Sequence, residues 1–266
     1  VSAALSGLVV NVGVYAVARF MYTIFGYGSV LDRGPVNLRD VIMFALIILG
    51  AASAIVGAMM MAVQRDVKRL LAYSTINHMG FLFMVLGVGL SATPREAVTL
   101  ALAALMFHLI NHSVGKSLLF MSTGVLIKAV GSRDLDALAG LGKRAPIVGL
   151  AIVIGALDLL GIVPLAGFFS KYMMYQAFLA ANQPVLALIL ILASAISIAG
   201  YAKLIYIVLG KPATQDLVIT EDGRAAFVLL VLSLTCIALT VALPLGFSTL
   251  LQSVGKDLLD VGAYIG

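Results

Sequence analysis

Seven long apolar runs dominate this chain and leave little room for any soluble architecture. A membrane-crossing helix needs about 20 mostly apolar residues. Seven stretches qualify: 2–22, 40–63, 70–90, 98–128, 147–180, 185–210 and 225–246. Turn formers and charges separate them. The first gap holds Gly26, Gly28, Asp32, Arg33, Gly34 and Pro35, and the second is the run Gln64-Arg65-Asp66-Val67-Lys68-Arg69. Gly131, Arg133, Asp134, Asp136, Lys143, Arg144 and Pro146 lie between the fourth and fifth runs. Lys211, Pro212, Glu221, Asp222 and Arg224 precede the last. Hydrophobic residues make up 62% of the 266 and charged residues 11%, where a soluble domain is about half apolar and about a quarter charged. That balance excludes an ordinary soluble enzyme, a disordered chain and a nucleic-acid binder. The net charge of +5 reads as cytoplasmic-loop charge. Cys236 is the single cysteine, so neither an intrachain disulfide nor a cysteine metal site can form. The chain opens on Val1 with no signal-peptide pattern, which points to a fragment or a trimmed product. The fold class expected is all-α and polytopic, with about seven transmembrane helices.

Two of the runs are longer than one straight helix needs to cross about 30 Å at about 1.5 Å per residue. The run 98–128 carries His108, His112, Gly115 and Lys116 near its middle, and 147–180 carries Gly161, Pro164 and Gly167. Both are expected to be broken helices, interrupted at Gly115 and at Pro164. Breaks inside a bilayer persist only where protein or a water-filled cavity satisfies the freed backbone groups, and in transporters they line the ion path. With seven spans, the amino-terminal side receives nine loop cations: Arg65, Lys68, Arg69, Lys128, Arg133, Lys143, Arg144, Lys211 and Arg224. The other side receives five: Arg19, Arg33, Arg39, Arg95 and Lys256. Nine against five places the amino-terminal side in the cytoplasm and the carboxy terminus outside it. Residues 1–246 then form the transmembrane unit, and 247–266 a tail whose mixed pattern suits an interfacial helix.

The remaining three basic residues, Lys116, Lys171 and Lys203, fall within apolar runs, as do Asp158, His108, His112 and, near one end, His78. Ionisable groups at membrane depth are costly and usually face a bundle interior, marking an ion or substrate path. His108, His112 and Lys116 stand at i, i+4 and i+8, stacked on one helix face over about 12 Å. Imidazoles accept and donate protons near neutral pH, and lysine, unlike arginine, can lose its proton inside a protein. The spacing suits a lateral proton relay. The bland alternative is that both histidines satisfy interhelical hydrogen bonds. A zinc site lacks a third ligand. Lys171 follows the Pro164 break; otherwise it snorkels to the interface. Lys203, between Tyr201 and Tyr206, has the same two readings. Asp158 is a counter-ion or a proton carrier, with no partner legible. His78 reads as structural.

These motifs resemble a known family. Gln64-Arg65-Asp66-Val67-Lys68-Arg69-Leu70-Leu71-Ala72-Tyr73-Ser74-Thr75, continuing through His78-Met79-Gly80-Phe81, is similar to a loop and helix start of antiporter-like subunits. Such subunits occur in respiratory complex I, membrane-bound hydrogenases and Mrp-type cation/proton antiporters. Phe107-His108-Leu109-Ile110-Asn111-His112 with Lys116-Ser117-Leu118-Leu119-Phe120 resembles a broken helix of that family. Gly161-Ile162-Val163-Pro164-Leu165-Ala166-Gly167-Phe168-Phe169-Ser170-Lys171 resembles the next. Val1-Ser2-Ala3-Ala4-Leu5-Ser6-Gly7 resembles the eighth helix of the fourteen-helix core. The likeness spans roughly residues 1–210 and matches the carboxy-terminal half of the core.

The resemblance implies a proton channel of two inverted five-helix repeats, with buried lysines and histidines on a central axis. By motif position His108, His112 and Lys116 match the central relay, and Lys171 its terminal ionisable residue. Some complex I members carry Glu there, so Lys171 argues against that branch. Two positions depart from the pattern. The family usually has Lys or His on the helix linking the half-channels, where this chain has Asn11, which hydrogen-bonds water but holds no positive charge. Asp158 stands where relatives more often have a small residue. Redox chemistry would belong to partner subunits carrying iron–sulfur or other redox centres, with no cofactor or metal in this chain. The partners implied are other membrane subunits, including whatever supplies the first repeat, and the lipid bilayer, with no nucleic acid.

The function expected is therefore that of a half-channel in a redox-driven complex of the plasma membrane, moving protons or contributing to sodium/proton exchange. Two other readings stand beside it. A free-standing secondary transporter would need a midplane substrate pocket, and the sequence shows a proton-wire spacing instead. A non-conducting structural subunit fits Asn11 and the match to one half of the core.

Overall fold

The apolar runs become helices whose ends are set by local chemistry. The computed structural model describes residues 1–33, 35–213, 219, 221–242 and 247–260. Helix α1 (Ser2–Ile24) includes two π-helical stretches, Leu5–Val9 and Arg19–Ile24. Asn37 starts α2 (Leu38–Val63) by accepting a hydrogen bond from the Asp40 amide, and Asp66 starts α3 (Val67–Gly87) by accepting one from Arg69. A side-chain acceptor at that position satisfies an amide with no partner inside the helix. Helix α4 (Arg95–Val130) follows Pro94 and ends where Gly131 turns left-handed at φ 74°. The short α5 (Leu141–Arg144) precedes α6 (Pro146–Leu160), which Gly161 ends at φ 85°. Helices α7 (Ala166–Ala180), α8 (Pro184–Gly210), α9 (Gly223–Ala242) and α10 (Ser248–Leu259) complete the chain.

Six of these helices are long and apolar enough to cross a membrane: α1, α2, α3, α4, α8 and α9. A seventh crossing results if Asp136–Arg144 and α6, which meet at a bend of 112°, are taken as one. Among the described residues no strand forms, and a lone bridge pairs Asp66 with Asp134. The last expected run, 225–246, closes as α9, and its final four residues lie outside the described residues.

The two expected breaks have opposite outcomes. The chain does break between α6 and α7, over residues 161–165. It does not break at Gly115: α4 is one continuous helix of 36 residues. The physical reason is packing. A Cβ on Gly115 would lie 3.0 Å from the Leu159 side chain and 3.1 Å from Asp158 Oδ2. The missing side chain thus admits α6 against α4, and the helical hydrogen bonds continue past it.

Small residues bring other helices together in the same way. A Cβ on Gly80 of α3 would sit 2.4 Å from the Ala54 amide nitrogen of α2. Loops gather at two ends. At one, Val67 donates to the Arg133 carbonyl at 3.0 Å, Leu135 donates to that of Arg65 at 2.8 Å, and Lys211 pairs with Asp136 at 2.7 Å. At the other, buried Arg39 donates to the Gly89 carbonyl at 2.7 Å and lies 4.1 Å from the Tyr27 ring centroid. The tail helix α10 also docks there. It buries Leu251, Leu258 and Leu259, and Thr23 donates to the Leu258 carbonyl at 3.0 Å. Residues 261–266 of the tail lie outside the described residues.

Candidate functional site

His108, His112 and Lys116 are all fully buried on α4. The His108 and His112 ring centroids are 6.2 Å apart, and each of the three side chains bonds to a different neighbour. Lys116 Nζ donates to the Ser74 hydroxyl and, at 3.2 Å, to the Leu71 carbonyl, both on α3. His108 Nε2 meets His78 Nδ1 of α3 at 3.0 Å, while His108 Nδ1 meets the Ser170 hydroxyl of α7 at 2.9 Å. His78 Nε2 reaches the Tyr201 hydroxyl of α8 at 3.3 Å. His112 Nδ1 faces Asn11 Oδ1 of α1 at 3.2 Å. The ring centroids of His78 and His108 are 5.1 Å apart, and those of His78 and His112 are 5.3 Å apart. The polar centre is thus a crossing of α3 and α4, with α7 and α8 closing it.

The α6–α7 break holds the other two ionisable groups. Lys171, 9% exposed, donates from Nζ to the Leu160 carbonyl at 2.9 Å and lies 5.5 Å from the Phe81 ring centroid. Leu160 is the last residue of α6, so its carbonyl lacks an intrahelical partner. Asp158, fully buried, accepts at Oδ1 from the Gly167 amide in the first turn of α7, at 3.1 Å. A cation therefore sits at a helix carboxy end and an anion at a helix amino end, which is the favourable pairing with the helix dipoles. Lys171 and Asp158 do not form a direct ion pair; each binds the backbone across the break. Beside them, Asp158 Oδ2, both side-chain polar atoms of Asn111 and His112 Nε2 are buried without hydrogen-bond partners. Such atoms are what an internal water would satisfy.

The other expected residues lie on different structures. Asn11 donates from Nδ2 to Gly7 O, Leu109 O and Ser113 Oγ at 2.9, 3.1 and 2.7 Å, tying α1 to α4 beside His112. Lys203 donates to Ala62 O and Gln64 O, both at 2.6 Å, and so caps the carboxy end of α2. No hydrogen bond joins it to the histidine cluster. Sequence reasoning read His78 as structural and gave no role to Ser74, Ser170, Tyr201 or Asn111. Ser74 and His78 carried a usable signal, being four residues apart on α3 and therefore on one face. Among the described residues, no group of three or more His, Cys, Asp or Glu side chains is placed to hold a metal ion.

Apolar crossing helices around a buried histidine–lysine cluster, with a helix broken beside a lysine, define a multi-pass antiporter-like membrane subunit. Residues 1–197 match the family described as NADH:quinone oxidoreductase/Mrp antiporter, TM, and the chain belongs to that family. Formate hydrogenlyase subunit 3 of Escherichia coli is 31% identical over 209 residues, which are 73% of this chain and 34% of that protein. A chain of the membrane-bound sulfane sulfur reductase, an archaeal respiratory membrane complex, superposes with a TM-score of 0.85 at 27% identity. The match covers 98% of this chain and 50% of that one. A chain of the Mrp complex from Dietzia sp. shares the fold, with a TM-score of 0.79 at 21% identity, over 99% of this chain and 54% of that one. The present chain thus spans between a third and about half of the length of these relatives. They are subunits of multi-subunit membrane assemblies.

Proposed function

We propose that this chain moves protons along its buried histidine–lysine cluster as one subunit of a redox-driven membrane complex, with sodium/proton exchange as the variant chemistry. The observation that carries the reading is the set of bonds from Lys116 to Ser74 and from His78 through His108 to Ser170, the residue before Lys171. Each histidine in it both accepts and donates a proton, and each lysine alternates between ammonium and amine. Asp158 and Lys171 supply the terminal charges at the helix break. His112 and Asn11 form a side branch that ends on a non-titrating amide. Lys203, engaged as a helix cap, stands outside the path. The subunit lies in the plasma membrane with its amino-terminal side cytoplasmic. Its partners are other membrane subunits and the bilayer. Iron–sulfur or other redox centres reside in those partners.

Lys171 tests the reading most directly. Lys171→Ala is expected to lower ion translocation per electron in reconstituted vesicles to about a tenth or less, with the complex still assembled. Lys171→Arg should impair it too, because guanidinium stays protonated. Lys171→Glu retains part of the activity, since a carboxylate also carries a proton. Full pumping by both the Ala and Arg variants would overturn the reading and leave Lys171 with a structural role alone.

A further inference from the structure

A groove of about 540 Å³ runs between α1 and α3, away from the histidine–lysine cluster. Its rim carries Lys68, Arg69 and Arg133, and its wall is built from Leu5, Ile76, Met79 and Phe83. From Arg69 to Phe83 is 14 residues of continuous α-helix, so the apolar wall extends about 21 Å below the cations. Among the described residues, none of the three cations has a carboxylate within ion-pair distance. The acid at the rim, Asp66, already accepts the Arg69 amide at 3.0 Å.

From this shape and charge we infer that the groove binds one anionic phospholipid, its phosphate among Lys68, Arg69 and Arg133 and an acyl chain along α3. Basic clusters at the end of an apolar interhelical groove select acidic headgroups. The cations, free of carboxylates among the described residues, favour a phosphate headgroup as the occupant. In the wall the hydroxyls of Ser6 and Thr75 are bonded to each other at 2.6 Å. Leu5, Val10, Ile76, Met79, Phe83 and Phe120 supply the surface for a hydrocarbon tail.

The test uses the purified protein in detergent, with phosphatidylglycerol or phosphatidylcholine added and bound lipid counted by native mass spectrometry. Phosphatidylglycerol should be retained over phosphatidylcholine. The triple variant Lys68→Gln, Arg69→Gln, Arg133→Gln should hold it roughly a hundredfold more weakly. Ala72→Trp, at an exposed position lining the groove, should also abolish retention while leaving all three cations in place. Ile76→Trp, likewise exposed and in the groove, replaces it if the first variant fails to fold by circular dichroism. Loss in the charge variant alone would reduce the effect to surface electrostatics and overturn the inference. Retention by every variant would overturn it as well. A photo-crosslinker at Ile76 should capture lipid; capture of a peptide would assign the groove to protein and also overturn it.

Discussion

Helix α4 and the α6–α7 pair are built from similar material and end as opposite structures. Each is a long apolar stretch with glycine beside ionisable side chains. Yet α4 runs unbroken for 36 residues past Gly115, while α6 and α7 are separated over 161–165. What differs is the chemistry of the interruption. Gly161 takes φ 85°, a backbone conformation that ends a helix, and Pro164 brings no amide proton to continue one. Gly115 keeps helical geometry and presents a bare backbone to α6. A glycine next to a charge is therefore ambiguous. In one region it marks where the chain must turn, and in the other where another helix must come close. The two regions also hold charge differently. In α4 the lysine is satisfied by a hydroxyl and a carbonyl on α3, whereas at the break Lys171 and Asp158 each bind the backbone of the opposite half-helix.

Alanine at the two kinds of glycine should separate them, with the largest effect at the break. A Cβ on Gly167 would lie 1.7 Å from the Asp158 carbonyl oxygen and 2.8 Å from its carbon. Backbone has nowhere to yield, so Gly167→Ala should destabilise the protein by roughly 3 kcal/mol. It should also separate Lys171 from Leu160. The denaturation midpoint in detergent reads the first effect and loss of ion translocation the second. Gly115→Ala should be far milder. Its nearest neighbours are side-chain atoms at 3.0–3.1 Å, and alanine gains about 1 kcal/mol of helix preference over glycine, so the net change should stay within about 1 kcal/mol. Equal effects at the two sites would break the comparison.

The next contrast sets Lys203 against the lysines of the cluster. Its ammonium serves two carbonyls at the end of α2 and is partly exposed. Lys203→Ala should cost about 1 kcal/mol of stability and leave translocation by the assembled complex at its parental rate. A pumping defect without a stability loss would return Lys203 to the proton path.

These contrasts also show what a sequence can carry. Helix positions were readable because the length of an apolar run maps onto the bilayer, and the 161–165 break was readable because Pro164 acts locally. The continuity at Gly115 was not, because its cause is Asp158 and Leu159 on another helix. Likewise His108, His112 and Lys116 were legible as one face of α4, since that spacing is local. Their bonding partners Ser74, His78, Ser170 and Asn11 come from three other helices, and spacing within α4 says nothing about them. His78 read as structural because nothing within α3 reveals that it meets His108 on another helix. Lys203 and Lys171 shared the snorkelling alternative in sequence, and only the Pro164 break and the motif around Lys171 set them apart. The structure separates them by what their ammonium groups find: one caps the carboxy end of α2, the other closes a break beside a buried carboxylate.

The smallest expected effect lies in the loop after α1, where a carboxylate also organises backbone but in contact with water. Asp32 accepts from the Gly28 amide at 2.8 Å, from Asn37 Nδ2 at 2.6 Å and from the Ser91 hydroxyl at 3.2 Å. The Gly28 amide bond, ahead of those from Asn37 and Ser91, holds this carboxyl below the usual carboxylate range. A carboxyl depressed in the folded state adds stability that is complete above its unfolded value of about 3.9. That contribution is lost as pH falls through the folded value. Protection of the Gly28 amide against hydrogen exchange should therefore be level from about pH 7 to pH 5 and decline below about pH 4. Asp32→Asn keeps an acceptor but removes the titration, so its protection should be lower and free of that decline. The transmembrane break should not follow this profile, because Asp158 is screened from bulk water by α4 and α7 while Asp32 meets it directly. Matching profiles for the parent and Asp32→Asn would show that the loop is held by Asn37 and Ser91 alone, with the charge on Asp32 contributing nothing.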